Sequence, residues 1–291
     1  MAADAGAQVT ELTDEDHACL TFGEPEDLAD LTAAFVRDGL AGGLKVMWLS
    51  DTSAAGAVAE LARRGIDTGP ALARGQLAAT ACDGRLLSGQ AFRARDAVGW
   101  LAGQLEASRR EGFPGLRVAV DMSWALRPVT GVEELPAFEE GIAAVLAGST
   151  GAVLCQYDRE KFDPVTLASV AGFHTRSVAA ATYYADPLLR ICRQYAPPGI
   201  RIAGELDYQA AEPLALALAE TVRLGGDITI NMTAMTFIDA RCSLMVADAT
   251  RTVAAASRRV RLRCLPEVAA GFARLGVAGV PGITVVTDDD R

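Results

Sequence analysis

Apolar strand-like segments alternate with helical segments along the first two thirds of this 291-residue chain. The run Lys45–Ser50 (KVMWLS) is followed by a helical segment at 54–64. Leu116–Val120 (LRVAV) and Ala152–Gln156 (AVLCQ) are similar runs, with a helical segment at 133–147 between them. Continuous apolar strands that alternate with helices are typical of a parallel sheet covered on both faces. The alternation predicts a doubly wound, mainly parallel α/β domain.

A change of rhythm at 186–199 divides the chain. Pro187 and the Pro197–Pro198–Gly199 stop are typical of a linker. Beyond them, shorter strand-like and helical segments alternate to the end of the sequence, enough to bury one modest core. We therefore expect two domains, a larger one at 12–190 and a smaller α/β domain at 199–288.

Charge and cysteine usage limit the classes of function. The formal net charge is −10 and the basic residues are scattered, which argues against binding to nucleic acid. No apolar stretch reaches the length of about 18 residues that a membrane helix needs. The six cysteines are widely spaced without a CxxC pair, which favours reduced thiols. We expect a cytoplasmic protein that binds neither nucleic acid nor a membrane.

Two strand-to-helix turns mark the C-terminal domain. Gly204–Asp207 (GELD) ends its first strand, and Asn231–Asp239 (NMTAMTFID) precedes a helix that Asp239 can cap. This pattern resembles the STAS domain, the fold of bacterial anti-sigma-factor antagonists, from Ile200 to about Val286. The resemblance implies a protein partner of the anti-sigma or switch-kinase type. It also implies a docking surface formed by Asp207, Asp239, Ala240, Arg241, Cys242 and Ser243.

The residue after Asp239 departs from the STAS pattern. In the phosphorylated members a serine directly follows this aspartate, whereas this chain has Ala240, which has no hydroxyl. The next hydroxyl belongs to Ser243 and is displaced. We therefore expect the domain to bind its partner without phosphorylation.

Polar and aromatic residues follow the predicted strands of the N-terminal domain. His17 and Cys19 form an HxC pattern, Asp121 and Trp124 belong to a DMSW stretch, and the CQYD stretch begins at Cys155. The carboxyl ends of parallel strands form the crevice in which α/β proteins bind small ligands. These residues therefore predict one ligand cavity at that edge of the sheet.

The same residues resemble the MEDS domain, a sensory module related to RecA-like ATPases, from about His17 to Pro187. The resemblance implies a RecA-like fold and the sensing of a small organic compound, but it identifies no ligand or cofactor. Many members carry Glu at the position of Asp121 and Pro at that of Thr175. The predicted ligand-binding residues are His17, Cys19, Asp121, Trp124, Cys155, Tyr157, Asp158 and His174.

Other interpretations of these residues remain open. His17 and Cys19 have ligand chemistry, but a metal site needs three or four donors and the chain has only two histidines. We therefore expect no metal there, and the two residues are either ligand contacts or a buried histidine and a packing thiol. Asp121 or Asp158 can instead pair with Arg117 or Arg159.

An enzyme is the alternative function, either a residual nucleotide hydrolase or a transferase. The natural place for a phosphate-binding loop is after Lys45–Ser50, and the segment there lacks the GxxxxGK[ST] pattern. A Cys19–His174 nucleophile pair has no evident third residue to orient it. We expect a sensor rather than a catalyst.

Overall fold

A strand that is buried along its whole length, Gly151–Asp158, runs through the N-terminal part of the computed structural model, which describes residues 7–51 and 53–287. Such a strand has to lie inside a sheet that is covered on both faces. It is one of six parallel strands in the order β3-β2-β6-β7-β1-β8. These strands are β1 (His17–Phe22), β2 (Lys45–Ser50), β3 (Leu77–Ala81), β6 (Leu116–Asp121), β7 (Gly151–Asp158) and β8 (Arg176–Val178). A short hairpin, β4 (Leu87–Ser88) and β5 (Ala91–Phe92), follows β3.

Helices cover both faces of this sheet. They are α1 (Pro25–Ala41), α2 (Ala54–Arg63), α3 (Gly69–Ala73), α4 (Ala94–Arg110), α5 (Leu135–Leu146) and α6 (Pro164–Ala171). Helices α1 and α2 pack on one face, and α4 and α5 pack on the other, where they share a core with Val118, Val153 and Cys155. The mixed α/β fold with a parallel sheet is confirmed.

The boundaries of α1 show how the sequence sets these elements. Pro25 occupies the first turn, where its missing N–H costs no hydrogen bond, and the helix ends before Gly42. Gly43 then adopts a φ of 75°, which an L-residue with a side chain rarely takes. Leu31 and Phe35 lie one turn apart and are buried, which fixes the face that meets the sheet.

The second sheet holds the C-terminal part of the chain. Its strands are β9 (Thr182–Ala185), β10 (Leu189–Tyr195), β11 (Pro198–Leu206), β12 (Ile228–Met232), β13 (Met235–Ile238), β14 (Val260–Cys264) and β15 (Ile283–Thr287). The order is β15-β14-β12-β11-β10-β9, with β13 paired to the end of β11. Its helices are α7 (Ala211–Arg223), α8 (Ala240–Ala255) and α9 (Pro266–Arg274). Among the residues described, no helix is long and apolar enough to cross a membrane.

The segment 186–199 was expected to be a linker, and this prediction is wrong. Residues Leu189–Tyr195 form β10, which pairs with β11 in an antiparallel hairpin turned at Ala196 and Pro197. Leu189 and Ile191 are buried in the core. The hairpin accommodates both prolines, because Pro197 lies in the turn and Pro198 stands at the first position of a strand, where proline is tolerated.

The chain accordingly divides into two compact units between Ala179 and Ala180, before the predicted end of the first domain at residue 190. The first unit is called the N-terminal domain below, and the second the C-terminal domain. Residue 288, the predicted end of the second domain, and Thr52, in the segment searched for a phosphate loop, lie outside the described residues.

Candidate functional site

Two neighbouring strands bring four of the predicted site residues to one face of the N-terminal sheet. His17 and Cys19 alternate along β1, and Cys155 and Tyr157 alternate along β7, so that each pair shares a face. The strands are paired in a register that sets Cys19 beside Cys155. The sequence predicted His174 on a helix, but it lies in the turn between α6 and β8, with its side chain only 1% exposed.

The carboxylate of Glu139, on α5, lies at the centre of this group. His17 Nε2 donates to Glu139 Oε2 over 3.0 Å, and His174 Nε2 is 3.4 Å from the same oxygen. The Cys155 thiol lies 3.5 Å from Glu139 Oε2, and Tyr157 donates its hydroxyl to Oε1. The side chains of Glu139 and His17 are fully buried. We call His17, Glu139, Cys155, Tyr157 and His174 the Glu139 cluster.

The charges in the Glu139 cluster follow from burial and from these contacts. Burial opposes ionisation of Glu139, but the hydrogen bonds from His17 and Tyr157 hold the pKa of its carboxyl below the usual value. Burial lowers the pKa of His174 to about 4 despite the attraction of Glu139. Burial and Glu139 raise the pKa of the Cys155 thiol. An ionised carboxylate is therefore buried among a neutral imidazole and a protonated thiol.

Two ring nitrogens in the Glu139 cluster are left without a hydrogen bond. His17 Nδ1 and His174 Nε2 are buried and have no hydrogen-bond partner within the described residues. On the other side of its ring, His174 Nδ1 lies 2.8 Å from the carbonyl oxygen of Val170. Donor atoms of His17, Glu139, Cys155 and His174 all lie within 4.8 Å of one another, so these four residues can hold a metal ion.

Glu139 was missed in the sequence, although a signal was present. The buried positions of α5 include Leu135, Phe138, Ile142 and Leu146, and Glu139 falls on the same stripe. A carboxylate within the apolar stripe of an amphipathic helix must find a partner in the interior. Its position in the stripe marks Glu139 as a buried acid, but the identity of its partners depends on the order of the strands in the sheet.

Three other predicted ligand residues, Trp124, Asp158 and Asp121, lie outside the Glu139 cluster. Trp124 is fully buried and packs on Phe92, with ring centroids 4.5 Å apart. Asp158 pairs with Lys161 over 2.8 Å. Asp121 accepts from the backbone N–H groups of Ser123 and Asp51. The prediction of a single cavity lined by these residues with His17 is wrong, because neighbouring residues of β7 face opposite sides of the sheet and Trp124 turns into the core.

The alternative interpretation, in which Asp121 or Asp158 pairs with Arg117 or Arg159, finds no such ion pair among the described contacts. Arg117 Nη2 donates to the carbonyl oxygen of Leu12 over 3.0 Å, and Arg159 lies 3.5 Å from Glu160. Asp121 instead occupies the N-cap of a 3₁₀ turn at Met122–Leu126. Its position is therefore set by backbone hydrogen bonds rather than by an ion pair.

A cavity of about 320 Å³ lies where β2 and β6 end, lined by Trp48, Ser50, Asp121 and Gln156. Helices α1 and α2 close it with Ala29, Gly56 and Glu60. After β2 the chain enters α2 on one face of the sheet, and after β6 it continues to α5 on the other. Neighbouring strands that lead to opposite faces open a crevice at their carboxyl ends, which is where α/β sheets bind ligands. Asp121 is the predicted site residue that lines it.

The predicted docking residues other than Asp207 lie at the N-cap and in the first turn of α8, and Asp207 follows β11. Asp239 Oδ1 accepts from the N–H of Cys242 over 2.7 Å and so caps the helix. The thiol of Cys242 donates to the carbonyl oxygen of Asp207 over 3.2 Å, which joins the two turns. Ser243 donates its hydroxyl to the carbonyl oxygen of Asp239 over 2.8 Å. Ala240 and Arg241 are exposed.

Exposed apolar side chains occur in the same segments. Tyr208 follows Asp207, Phe237 belongs to β13, and Leu244 lies in the first turns of α8, and these side chains are 63%, 52% and 47% exposed. Exposed aromatic residues next to charged turns are common in surfaces that bind other proteins.

Comparison with known proteins gives one family match. The model of the MEDS family, the methanogen/methylotroph, DcmR sensory domain, matches residues 16–175. These residues include β1, β7, α5 and His174, and so the whole Glu139 cluster and Asp121. No curated protein matches the sequence.

Similar solved structures include three archaeal proteins. The flagellar accessory protein FlaH of Methanocaldococcus jannaschii is 11% identical, with a TM-score of 0.46 over 65% of this chain and 83% of that one. A KaiC-like protein of Pyrococcus horikoshii is 13% identical, with a TM-score of 0.46 over 63% and 80%. An uncharacterized protein of Pyrococcus horikoshii, in complex with an unknown peptide, is 16% identical, with a TM-score of 0.48 over 63% and 84%. These similarities carry no argument about function.

Proposed function

The chain belongs to the MEDS family of sensory domains, and we propose that it is a signalling regulator that responds to a small molecule. In this proposal the N-terminal domain binds a small organic compound, and the C-terminal domain is a STAS-like module that binds a protein partner. Binding of the compound changes the equilibrium between states in which the docking residues are accessible or masked. A ligand has this effect only if its affinity differs between the two states.

The cavity at Asp121 carries the proposal for the N-terminal domain. Its volume of about 320 Å³ is in the range of small-ligand sites. Apolar walls from Trp48 and Ala29 and polar groups from Asp121 and Gln156 suit an organic compound that donates a hydrogen bond to the Asp121 carboxylate. The residues of the Glu139 cluster and Trp124 support the domain from its interior.

Binding without catalysis is part of this proposal. Both of the strand-to-helix connections that could receive a phosphate are acidic: Asp51 follows β2, and Glu24 precedes α1, whose first turn carries Glu26 and Asp27. Acidic side chains at a helix N-terminus disfavour a phosphate there. Burial and Glu139 raise the pKa of the Cys19 thiol to about 12, whereas reactive cysteines have a lowered pKa. These features favour a binding protein over a nucleotide hydrolase or a thiol enzyme.

Docking without phosphorylation is the proposal for the C-terminal domain. Ala240 offers no hydroxyl, and the Ser243 hydroxyl is hydrogen-bonded to the Asp239 carbonyl within α8. The exposed side chains Tyr208, Phe237 and Leu244 supply apolar area beside Arg241. This combination suits an acidic partner with an apolar patch, such as an anti-sigma or switch-kinase-like protein.

We expect the full-length protein, purified from its own host, to retain a small molecule in native mass spectrometry. Ala29→Trp places an indole in the cavity and should abolish the retained mass, and Asp121→Asn should reduce it because the ligand loses a charged acceptor. Ala41→Trp is the matched control, since Ala41 lies on the exposed end of the same helix. A molecule that is retained equally by Ala29→Trp, or a wild type without one, contradicts the proposal.

A further inference from the structure

We propose that His17, Glu139, Cys155 and His174 bind one divalent transition-metal ion inside the N-terminal domain, and that zinc fits this donor set best. Two imidazoles, a carboxylate and a thiolate are zinc ligands, and four protein ligands are typical of a closed, structural site. In the sequence, Cys19 is the candidate ligand that shares a strand face with His17, and the second histidine, His174, is distant. The fold supplies other partners for His17, from α5, from β7 and from the turn after α6.

Four of the six distances between the donor atoms are close to those of a tetrahedral site. Bonds of about 2.0 Å to nitrogen or oxygen and about 2.3 Å to sulfur give ligand–ligand distances of about 3.3–3.7 Å around a tetrahedral ion. Glu139 Oε2 lies 3.0 Å from His17 Nε2, 3.4 Å from His174 Nε2 and 3.5 Å from Cys155 Sγ. Cys155 Sγ lies 3.5 Å from His17 Nε2. These four distances differ from the tetrahedral values by at most a few tenths of an ångström, and donor atoms of all four residues lie within 4.8 Å of one another.

The tautomer of His174 gives an independent indication. Its Nδ1 faces the Val170 carbonyl oxygen at 2.8 Å and therefore carries the ring proton of the neutral imidazole. Nε2 then presents a lone pair, buried and without a hydrogen bond in the described structure, to the carboxylate of Glu139. Two acceptors that face each other in the interior repel, and a cation between them removes the repulsion. A metal-bound histidine usually donates its other ring N–H to a carbonyl or carboxylate oxygen, which fixes the orientation of the ring.

Charge balance also favours a divalent ion. The Glu139 carboxylate and a Cys155 thiolate together carry two negative charges, and two neutral imidazoles add none. A divalent cation makes the fully buried group neutral overall, so that no net charge is left in the interior. Binding displaces the thiol proton of Cys155 to solvent, and the ring proton of His17 moves from Nε2, which donates to Glu139 in the metal-free protein, to Nδ1 so that Nε2 can bind the ion. Tyr157 holds the other carboxylate oxygen and fixes the orientation of Glu139.

This site is separate from the proposed ligand cavity, so the two proposals can fail independently. The metal ligands lie on the α5 face of β1 and β7, in the interior, whereas the cavity is lined by Asp121 and Gln156 at the strand ends.

Cobalt(II) is the probe that tests the site, because tetrahedral cobalt with a thiolate ligand shows a sulfur-to-metal charge-transfer band and intense visible bands. The full-length protein, stripped with a chelator and titrated with cobalt chloride, should bind one ion per chain and show both. Zinc should displace the cobalt. Cys155→Ser should remove the charge-transfer band, and His174→Ala should weaken cobalt binding by about a hundredfold or more.

Cys19→Ser is the matched control, since Cys19 is a buried thiol on the same face and beside Cys155 in register. It should bind cobalt with the wild-type spectrum. Near-ultraviolet circular dichroism shows whether each variant is folded. A wild type that binds less than one cobalt per chain, or shows no thiolate band, overturns the proposal. A sulfur-to-metal charge-transfer band that persists in folded Cys155→Ser also overturns the proposal.

Discussion

A fragment comprising residues 180–291 should fold on its own, whereas a fragment that begins at Gly199 should not. The second fragment lacks β9 and β10, so that β11 becomes an open edge on which six residues, 199–204, are deprived of their antiparallel partners. Ile202, which pairs with Ile191, loses the neighbour that covers it. Without β9 and β10, the sheet of the C-terminal domain is incomplete.

The size of the effect follows from the side chains that β10 contributes. Leu189, Ile191 and Tyr195 are at most 3% exposed. Each large apolar side chain contributes about 1.5–3 kcal/mol when it is fully buried. Together with the lost strand pairing, this approaches or exceeds the total stability of about 5–15 kcal/mol that a domain has. We therefore expect complete loss of cooperative folding.

Far-ultraviolet circular dichroism during urea unfolding measures this difference. The longer fragment should show a sigmoidal transition, and the shorter one should be unfolded or aggregated in buffer. A shorter fragment that unfolds cooperatively, with the midpoint of the longer one, would show that β9 and β10 are dispensable.

Glu139→Ala should lower the free energy of unfolding of the N-terminal domain by about 3–5 kcal/mol, the cost of leaving buried charged or polar partners without their counterpart. The substitution deprives His17 and Tyr157 of their acceptor, and it removes one ligand of the proposed metal site. Glu140→Ala, at the exposed neighbouring position of the same helix, should change stability by less than about 0.5 kcal/mol.

Tryptophan fluorescence reports this domain selectively, because all three tryptophans, Trp48, Trp100 and Trp124, lie within it. In urea, the midpoint for Glu139→Ala should fall by roughly 1–2 M relative to wild type. Equal midpoints for the two alanine variants would mean that Glu139 makes no net contribution to the stability of the interior.

Most of the N-terminal sheet could be predicted because its strands are continuous apolar runs. The predicted strand at Lys45–Ser50 coincides with β2, and that at 116–120 lies within β6. The hairpin of β10 and β11 was missed because its prolines, read locally, indicate a break. Their actual places, at a turn and at the first position of a strand, depend on a pairing that only the tertiary structure defines.

Only part of the site could be predicted from the sequence, and the reason is related. Residue type and strand alternation place His17 and Cys155 on known faces of their strands. They do not show that α5 passes over that face with Glu139, or that Trp124 turns into the core. Which side chains come into contact depends on the order of the strands in the sheet. Periodicity in the sequence does not predict that order.

Hydrogen–deuterium exchange tests most directly whether a ligand in the N-terminal domain controls the docking segment. The full-length protein is compared with and without the molecule that native mass spectrometry identifies, and Ala29→Trp serves as the unresponsive control. Backbone amides of residues 235–244 should change their exchange rates by roughly fivefold or more, as a coupling free energy of at least about 1 kcal/mol requires. Unchanged exchange in this segment, together with protection around Ser50 and Asp121, would show that the ligand binds without controlling the docking segment.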